Sequence, residues 1–382
     1  MKNENVELQS SNFDGKGNVN KQDIFNYDDY LEIITDENNS TVKLNYFWLR
    51  ENCRCEKCFN NTTNQRHLTI IDLPDEVKPE SCSFNNGNLR IAWNDKHDSV
   101  YSLDWIIKYS QPEILPDPIL WSGKLSEATT IACNDLNSET KVADLIRSLI
   151  VYGVGFVNGL EPTIEATEKV VTSMFPVQRT FFGDMWTVEK YLTFLDTAYT
   201  NEFIGAHTDN TYFNDAAGLQ IFHVMKFDGE GGKTLLVDGF RAVADVEKVN
   251  PDYVQCLRNV KVESYYSDDT RFITNVDSIL KYSPNNRLNQ IRYNLYDRSP
   301  RMVALPAEQQ GLFYSALRCL AGCIGRGEGE WWLRLQPGTA VFINNWRVMH
   351  GRASYQGSRV LGGCYVSMAD FLSKARMLKV IV

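Results

Sequence analysis

Apolar and polar residues alternate over 41–49, Thr-Val-Lys-Leu-Asn-Tyr-Phe-Trp-Leu. A period of two puts one face inward, so the pattern predicts a strand or hairpin. The preceding run, 30–35, predicts its partner across a polar turn at 36–40. Further short strands are predicted at 68–71 and 89–93. The Asn85-Asn86-Gly87-Asn88 cluster is the tight-turn signal that leads into the second of these. Residues 101–108 read as a short helix. This first stretch is therefore a small β-rich region. Pro112, Pro116 and Pro118 follow closely and suit neither helix nor central strand, so they mark a linker.

Beyond the linker the period lengthens. Val142, Leu145, Ile146, Leu149 and Ile150 fall on one side of a helix over 138–152. A short strand at 153–157 and a second helix at 162–174 come next. From about residue 190 the signals are strands, at 219–225, 233–237, 290–296, 332–335, 340–344 and 359–366. Helices at 242–249 and 307–323 interrupt them. Helices followed by many short strands predict a barrel or jelly roll with helical flanks. The expected organisation is a flexible tail over 1–22, an N-terminal domain over 23–115 and a larger domain over 116–382.

Composition narrows the class. Of 382 residues, 43% are hydrophobic and 23% charged, ordinary values for a chain with a sizeable core. The net charge is −9 and no basic block stands out, which argues against a nucleic-acid partner. No apolar run approaches the roughly 18 residues that span a bilayer. The first residues, Met1-Lys2-Asn3-Glu4-Asn5-Val6-Glu7, are polar and acidic, unlike a secretory signal or a mitochondrial presequence, and the expectation is a cytosolic protein. Cysteines number nine, and three of them fall within Cys53–Cys58. In a reducing compartment such a cluster reads as metal binding rather than disulfides.

Two constellations carry chemistry. In the first, Cys53, Cys55 and Cys58 are thiolate ligands for a closed tetrahedral zinc; His67 and His97 both lie close enough in the chain to be the fourth, and spacing does not choose between them. In the second, His207 and Asp209 have the H-x-D spacing that turns an imidazole and a carboxylate to one face of a strand. His350 supplies a late third ligand, and two His with one carboxylate is the facial arrangement of non-haem Fe(II) oxygenases. A dicarboxylate co-substrate on such a metal needs a guanidinium and a hydroxyl for its far end; Arg359 and Thr234 have the right chemistry and offsets from the two His.

With these residues in hand, the chain resembles the γ-butyrobetaine/trimethyllysine dioxygenases, Fe(II)/2-oxoglutarate enzymes of carnitine biosynthesis, from about residue 30 to its end. The resemblance runs through Trp48-Leu49-Arg50-Glu51-Asn52-Cys53-Arg54-Cys55-Glu56-Lys57-Cys58, Val237-Asp238-Gly239-Phe240 and Asn345-Trp346-Arg347. Asp196-Thr197-Ala198-Tyr199-Thr200, His207-Thr208-Asp209-Asn210-Thr211-Tyr212-Phe213 and Ile291-Arg292-Tyr293-Asn294-Leu295-Tyr296-Asp297-Arg298 are closer to its trimethyllysine side. It implies a mainly β fold with flanking helices: a double-stranded β-helix (jelly-roll) catalytic domain and a small β-rich N-terminal zinc domain. The family's Trp-x-x-x-His segment is matched by Trp93 to His97, which implies zinc on Cys53, Cys55, Cys58 and His97. Iron falls to His207, Asp209 and His350, and 2-oxoglutarate to Arg359 and Thr234.

The resemblance further implies an aromatic cage for a trimethylammonium group at Phe182, Trp186, Tyr199 and Tyr365, with Phe182 in place of the Tyr of the butyrobetaine branch. Asp196 would face the substrate's α-ammonium and Asn294 its carboxylate; Leu295 stands where the family often has a second Asn. His223 shares a strand face with Leu219, Ile221 and Met225 and reads as structural. The implied activity is hydroxylation of free N6,N6,N6-trimethyllysine by O2 to the 3-hydroxy product, with succinate and CO2, the first step of carnitine biosynthesis. Ascorbate as activator, a homodimer, and no nucleic-acid or membrane partner complete the expectation. The alternatives are γ-butyrobetaine hydroxylation, which Asp196 would discriminate because that substrate has no α-amine, and a catalytically inactive zinc-domain scaffold, against which the intact iron ligands and Arg359 argue.

Overall fold

Asn45 divides what the alternation alone would make one strand. In the computed structural model its side chain accepts a hydrogen bond from the Trp48 amide and caps a helix, α1 (Tyr46–Glu51), so the strand stops there. The strand over 41–49 is thus corrected to strand plus helix. The structure describes residues 24–35, 40–111, 113, 115–188, 197–301 and 305–381. The expected tail and Asp196 lie outside them.

The chain forms two compact units, Met1–Glu113 and Ile114–Val382. In the first, β1 (Ile24–Asn26), β2 (Tyr30–Thr35) and β3 (Ser40–Asn45) make an antiparallel sheet in which Leu31 opposes Leu44 and Ile33 opposes Val42. After α1 come two short strands, β4 (Phe59–Asn60) and β5 (Gln65–Arg66). The expected strand at 68–71 is instead a single 3₁₀ turn, Ile70–Asp72, because Asp72 accepts from both the amide and the hydroxyl of Thr69 and closes a capping box. A second sheet holds β6 (Pro79–Asn85), β7 (Asn88–Trp93) and β8 (Asp98–Ser102), followed by α2 (Leu103–Ser110). Asn86 and Gly87, at φ 50° and 73°, make the left-handed two-residue turn between β6 and β7. Leu31, Ile33, Leu44, Leu89, Ile91 and Trp93 form the core of this unit.

The second unit is built on two sheets. One has the order β11-β22-β13-β20-β10-β9 and the other β12-β21-β14-β19. In chain order the elements are β9 (Thr130–Ala132), α3 (Glu139–Val151), β10 (Val154–Asn158), α4 (Ile164–Thr172), β11 (Met185–Val188), β12 (Ile204–His207), β13 (Leu219–Gly231) and β14 (Thr234–Asp238). Helices α5 (Gly239–Val249) and α6 (Pro251–Asn259) follow, then β15 (Lys261–Ser267), β16 (Phe272–Ser278), β17 (Leu280–Tyr282) and β18 (Leu288–Ile291). The chain closes with α7 (Ala307–Ile324), β19 (Glu330–Leu333), β20 (Thr339–Asn344), β21 (Val348–Arg352), β22 (Tyr355–Val366) and α8 (Met368–Met377).

Strand alternation sorts the side chains into layers. On β13, Leu219 and Ile221 turn to a cluster with α3, α4 and α8, while Phe222 and Val224 turn to the residues shared by the two sheets, among them Leu236, Val341, Val348 and Leu361. On β14, Leu235 and Val237 pack under α5, α6 and α7. Thr234, Leu236 and Asp238 therefore face the other way.

The strand expected over 290–296 ends at Ile291. Beyond it the hydrogen bonds go to the loop after β12 rather than to a sheet: Arg292 Nη2 donates to the carbonyls of Thr211 and Phe213, both at 2.7 Å, and the Tyr293 amide donates to Thr208 Oγ1 at 2.9 Å. Those bonds turn 294–297 into a loop beside the H-x-D segment. No helix among the described residues is long and apolar enough to cross a membrane.

Candidate active site

His207 ends β12 and His350 lies at the middle of the neighbouring β21, directly opposite it in register. Asp209 sits in the loop just beyond β12. Its Oδ1 is 3.3 Å from His207 Nε2 and 3.5 Å from His350 Nε2, so two imidazole nitrogens and one carboxylate oxygen converge on one point. His207 donates through Nδ1 to the Gly205 carbonyl at 2.9 Å, which leaves Nε2 as the lone-pair nitrogen. The loop is held from several directions. Asn345 Oδ1 accepts from the Asp209 amide and Asn345 Nδ2 donates to the Asp209 carbonyl, at 2.8 and 3.1 Å. The Tyr365 hydroxyl donates to Asp209 Oδ2 at 3.1 Å, and Asn210 turns the chain with φ 61°.

Burial alone would raise the Asp209 pKa, but His350 and His207 outweigh it and hold the carboxyl far below its usual range. Burial opposes charge on both imidazoles. For His350 it wins, and the pKa falls; for His207 the hydrogen bond and charge of Asp209 reverse it, and the pKa rises. An ionised carboxylate between two such nitrogens is the donor set of a facial divalent-metal site.

These residues open onto a cavity of about 130 Å3. The wall includes Phe182, Trp186, Tyr199 and Tyr365, with Trp186 and Tyr365 ring centroids 5.8 Å apart. Thr234, Asn294 and Arg359 line it as well. Strand register explains the grouping: Gln220 opposes Tyr365 and Phe222 opposes Gly363, and Trp186 fills the space that a side chain at Gly363 would need. Arg359 is buried, and among the described residues no carboxylate pairs with it. Burial, and then the charge of Arg352, lowers its pKa to about 10, which still leaves it cationic at neutral pH. Arg352 itself is spent on the carbonyls of Ala198, Thr200 and Glu202 at 2.8–2.9 Å.

Several lining residues have no role assigned from the sequence: Asn210, Tyr296 and Asp297 stand only within the strings that carry the resemblance, and Gln220 gives no signal at all. Asn294 Nδ2 donates to Asp297 Oδ2 at 2.7 Å and Asn294 Oδ1 accepts the Tyr296 amide at 3.0 Å, so part of its amide is already engaged. His223 lies outside the cavity wall. It is fully buried, its Nε2 accepts the Gly338 amide at 3.2 Å, and its Nδ1 therefore donates to Thr167 Oγ1 at 2.8 Å.

In the first unit, Cys53, Cys55, Cys58 and His97 come together, with His97 Nε2 3.2, 3.6 and 3.6 Å from the three sulfurs. A tetrahedron with Zn–S of about 2.3 Å and Zn–N of about 2.0–2.1 Å has S···N edges of roughly 3.6 Å, so the donor set fits zinc. His67 is exposed and stands apart from this group; its backbone amide alone reaches in, to the Cys58 carbonyl. Arg50 Nη1 donates to Cys58 Sγ at 3.5 Å and its other nitrogens bind Asp95, two residues before His97.

Residues 122–365 match the model of the taurine catabolism dioxygenase TauD, TfdA family, and residues 26–107 match a γ-butyrobetaine hydroxylase-like N-terminal model. A mitochondrial trimethyllysine dioxygenase of Rattus norvegicus is 36% identical over 366 residues, 92% of this chain and 86% of that protein. The one of Homo sapiens is 34% identical over 353 residues, 89% of this chain and 84% of that protein. Among solved structures, AAD-2 in complex with Mn(II) and N-oxalylglycine superposes with a TM-score of 0.50 at 13% identity, covering 65% of this chain and 97% of that one, a likeness of fold. The cytosolic expectation is corrected by these relatives, which are named as mitochondrial enzymes and point to that compartment instead. A cellular address is read by a receptor, and the polarity of residues 1–7 does not decide it.

Proposed function

The chain belongs to the TauD, TfdA family of dioxygenases, and from its similarity to trimethyllysine dioxygenases we propose that it hydroxylates free N6,N6,N6-trimethyllysine with O2 and 2-oxoglutarate. The enzyme is a 2-oxoglutarate-dependent oxidoreductase. One observation carries the substrate reading: one cavity joins the His207, Asp209 and His350 donors, a buried guanidinium with no acid partner among the described residues, and aromatic walls. A buried cation without an anion is costly. The pocket is thus suited to an anionic ligand at Arg359, for which Thr234 offers a hydroxyl, and the distal carboxylate of 2-oxoglutarate is such a ligand.

In this reading His207, Asp209 and His350 hold Fe(II), which together with 2-oxoglutarate supplies the oxidising chemistry when bound. The protein's own task is position and dryness. Trp186, Tyr199, Tyr365 and Phe182 receive the quaternary ammonium through cation–π attraction, which fixes how far along the substrate chain the metal reaches. Tyr365 serves two ends, its ring in the wall and its hydroxyl on Asp209. Asp196 is assigned to the α-ammonium, and the remaining donor of Asn294 to the carboxylate. The N-terminal domain, 23–115, carries a structural zinc on Cys53, Cys55, Cys58 and His97, and 116–382 is the double-stranded β-helix dioxygenase domain. Ascorbate activation and a homodimer belong to the same reading.

The test is 2-oxoglutarate decarboxylation stimulated by trimethyllysine, by γ-butyrobetaine and by neither, with mass spectrometry of the product. Trimethyllysine should be the better substrate and gain one oxygen, and His350→Ala should abolish turnover while keeping the fold. A preference for γ-butyrobetaine, or full activity in His350→Ala, would refute the assignment.

A further inference from the structure

Among the described residues that line the cavity there are two carboxylates, Asp209 and Asp297. Asp209 is committed to the metal site. Asp297 is no part of that donor set. It is held in place: Oδ2 accepts from Asn294 Nδ2 at 2.7 Å and from Thr211 Oγ1 at 3.3 Å, and its carbonyl accepts the Tyr265 amide at 2.8 Å. It lines the same cavity as His207, Asp209 and His350. Its neighbour Tyr296 accepts the Gly205 amide at 2.8 Å and meets the His207 ring edge-on at 6.0 Å.

Position then meets chemistry. With hydroxylation at C3 of trimethyllysine, the α-ammonium is only two bonds from the reacting carbon. The group that reads it must therefore stand beside the metal ligands, away from the aromatic walls that take the quaternary end. An α-ammonium has three donors, and one carboxylate does not exhaust them. We propose that Asp297 is a specificity-determining residue that accepts a charge-assisted hydrogen bond from the substrate's α-ammonium and so sets the preference for an α-amino acid over a simple betaine. Asn294 and Thr211 orient it for that contact. The proposal rests on the trimethyllysine reading and adds a second acid to Asp196.

The discriminating pair is trimethyllysine and 6-(trimethylammonio)hexanoate, which is the same molecule without the α-amine. Iron-loaded, full-length enzyme is assayed with both. Wild type should favour trimethyllysine. Asp297→Asn keeps size and hydrogen bonding but removes the charge. It should lower kcat/KM for trimethyllysine about tenfold or more, chiefly through KM, and lower that for the hexanoate clearly less, so that the ratio of the two falls. A merely structural Asp297 would move both substrates together. If Asp297→Asn does not fold, Thr211→Val removes one orienting donor and leaves the charge, and the substrate ratio should fall by a smaller factor. A ratio unmoved in whichever of these variants folds, or one that falls only in Asp196→Asn, overturns the role of Asp297. A wild type that ignores trimethyllysine yet hydroxylates another betaine overturns the trimethyllysine reading, and this proposal with it.

Discussion

Arg347 and Asp238 offer a measurable account of what holds the His350 strand. Both side chains are almost wholly buried, 1% and 0% exposed. They form a two-bond fork, Nε to Oδ1 at 3.0 Å and Nη2 to Oδ2 at 2.9 Å. Arg347 also donates to the carbonyls of Val151 and Ile119, both at 2.7 Å. Asp238 accepts the amides of Trp121 and Phe240, both at 3.1 Å, the second as the cap of α5. Replacing Arg347 with Met leaves a buried carboxylate with no countercharge, a loss of about 3–5 kcal/mol. At roughly 2–4 °C per kcal/mol for a domain of this size, the midpoint of the catalytic unit should fall by about 10 °C. The double variant Asp238→Leu/Arg347→Met removes both charges. It should recover most of that loss but not all, because the Trp121 and Phe240 amides lose their acceptor, at about 1 kcal/mol for the cap. Calorimetry on wild type, both singles and the double gives the coupling directly. If the double is as unstable as the sum of the singles, the charge pair is not what secures this end of the sheet.

Arg359→Met should raise the KM for 2-oxoglutarate by about ten- to a hundredfold, the value of one charge-assisted contact, as measured by decarboxylation against co-substrate concentration; an unchanged KM would refute the anion-site reading. Purified protein should hold about one zinc per chain by metal analysis, and His97→Ala should lose it while His67→Ala keeps it. His223 should make the fold acid-sensitive: its native pKa is lowered by burial, so as pH falls below about 6.5 the unfolded chain binds a proton that the native one does not. Stability is then full above that pH and falls as pH drops through the native value; a wild type and His223→Gln with parallel stability–pH curves between pH 7 and 5 would contradict this.

The local signals in the sequence were of two kinds. Ligand-type residues at short spacing, Cys53-x-Cys55-x-x-Cys58 and His207-x-Asp209, were visible because the spacing itself is the message. Helix faces such as Val142, Leu145 and Leu149 were visible because period and burial coincide. What could not be read were relations fixed by long-range register. That Gln220 faces the same cavity as Tyr365 follows from the pairing of β13 with β22, which no local pattern encodes. Caps are hidden for a related reason: Asn45 looks like one more polar position in an alternating strand until its side chain accepts the Trp48 amide. The end of β18 at Ile291 depends on bonds from Arg292 and Tyr293 to a loop some 80 residues earlier. Helices α6 and α8 follow caps at Asn250 and Ser367, whose side chains accept from the following turn, and their apolar faces are too short to stand out as a period.

One four-residue turn joins these distant parts. Between β20 and β21, Asn344 Oδ1 accepts the Trp346 amide at 3.1 Å and shapes the turn. Asn345 clamps both the amide and the carbonyl of Asp209 and donates to the Ala217 carbonyl at 2.9 Å. Trp346 Nε1 donates to the Ala216 carbonyl at 2.9 Å, and Arg347 takes Asp238. His350 begins three residues later on the strand this turn launches. The carboxylate donor and the second imidazole donor are therefore positioned by adjacent residues of one segment, although Asp209 and His350 are far apart in the chain. A donor set fixed in this way need not pay chain entropy when a cation arrives, since its backbone is already ordered. It follows that Asn345→Ala should weaken metal affinity without touching a ligand, whereas a substitution on the exposed face of α7 should leave it unchanged.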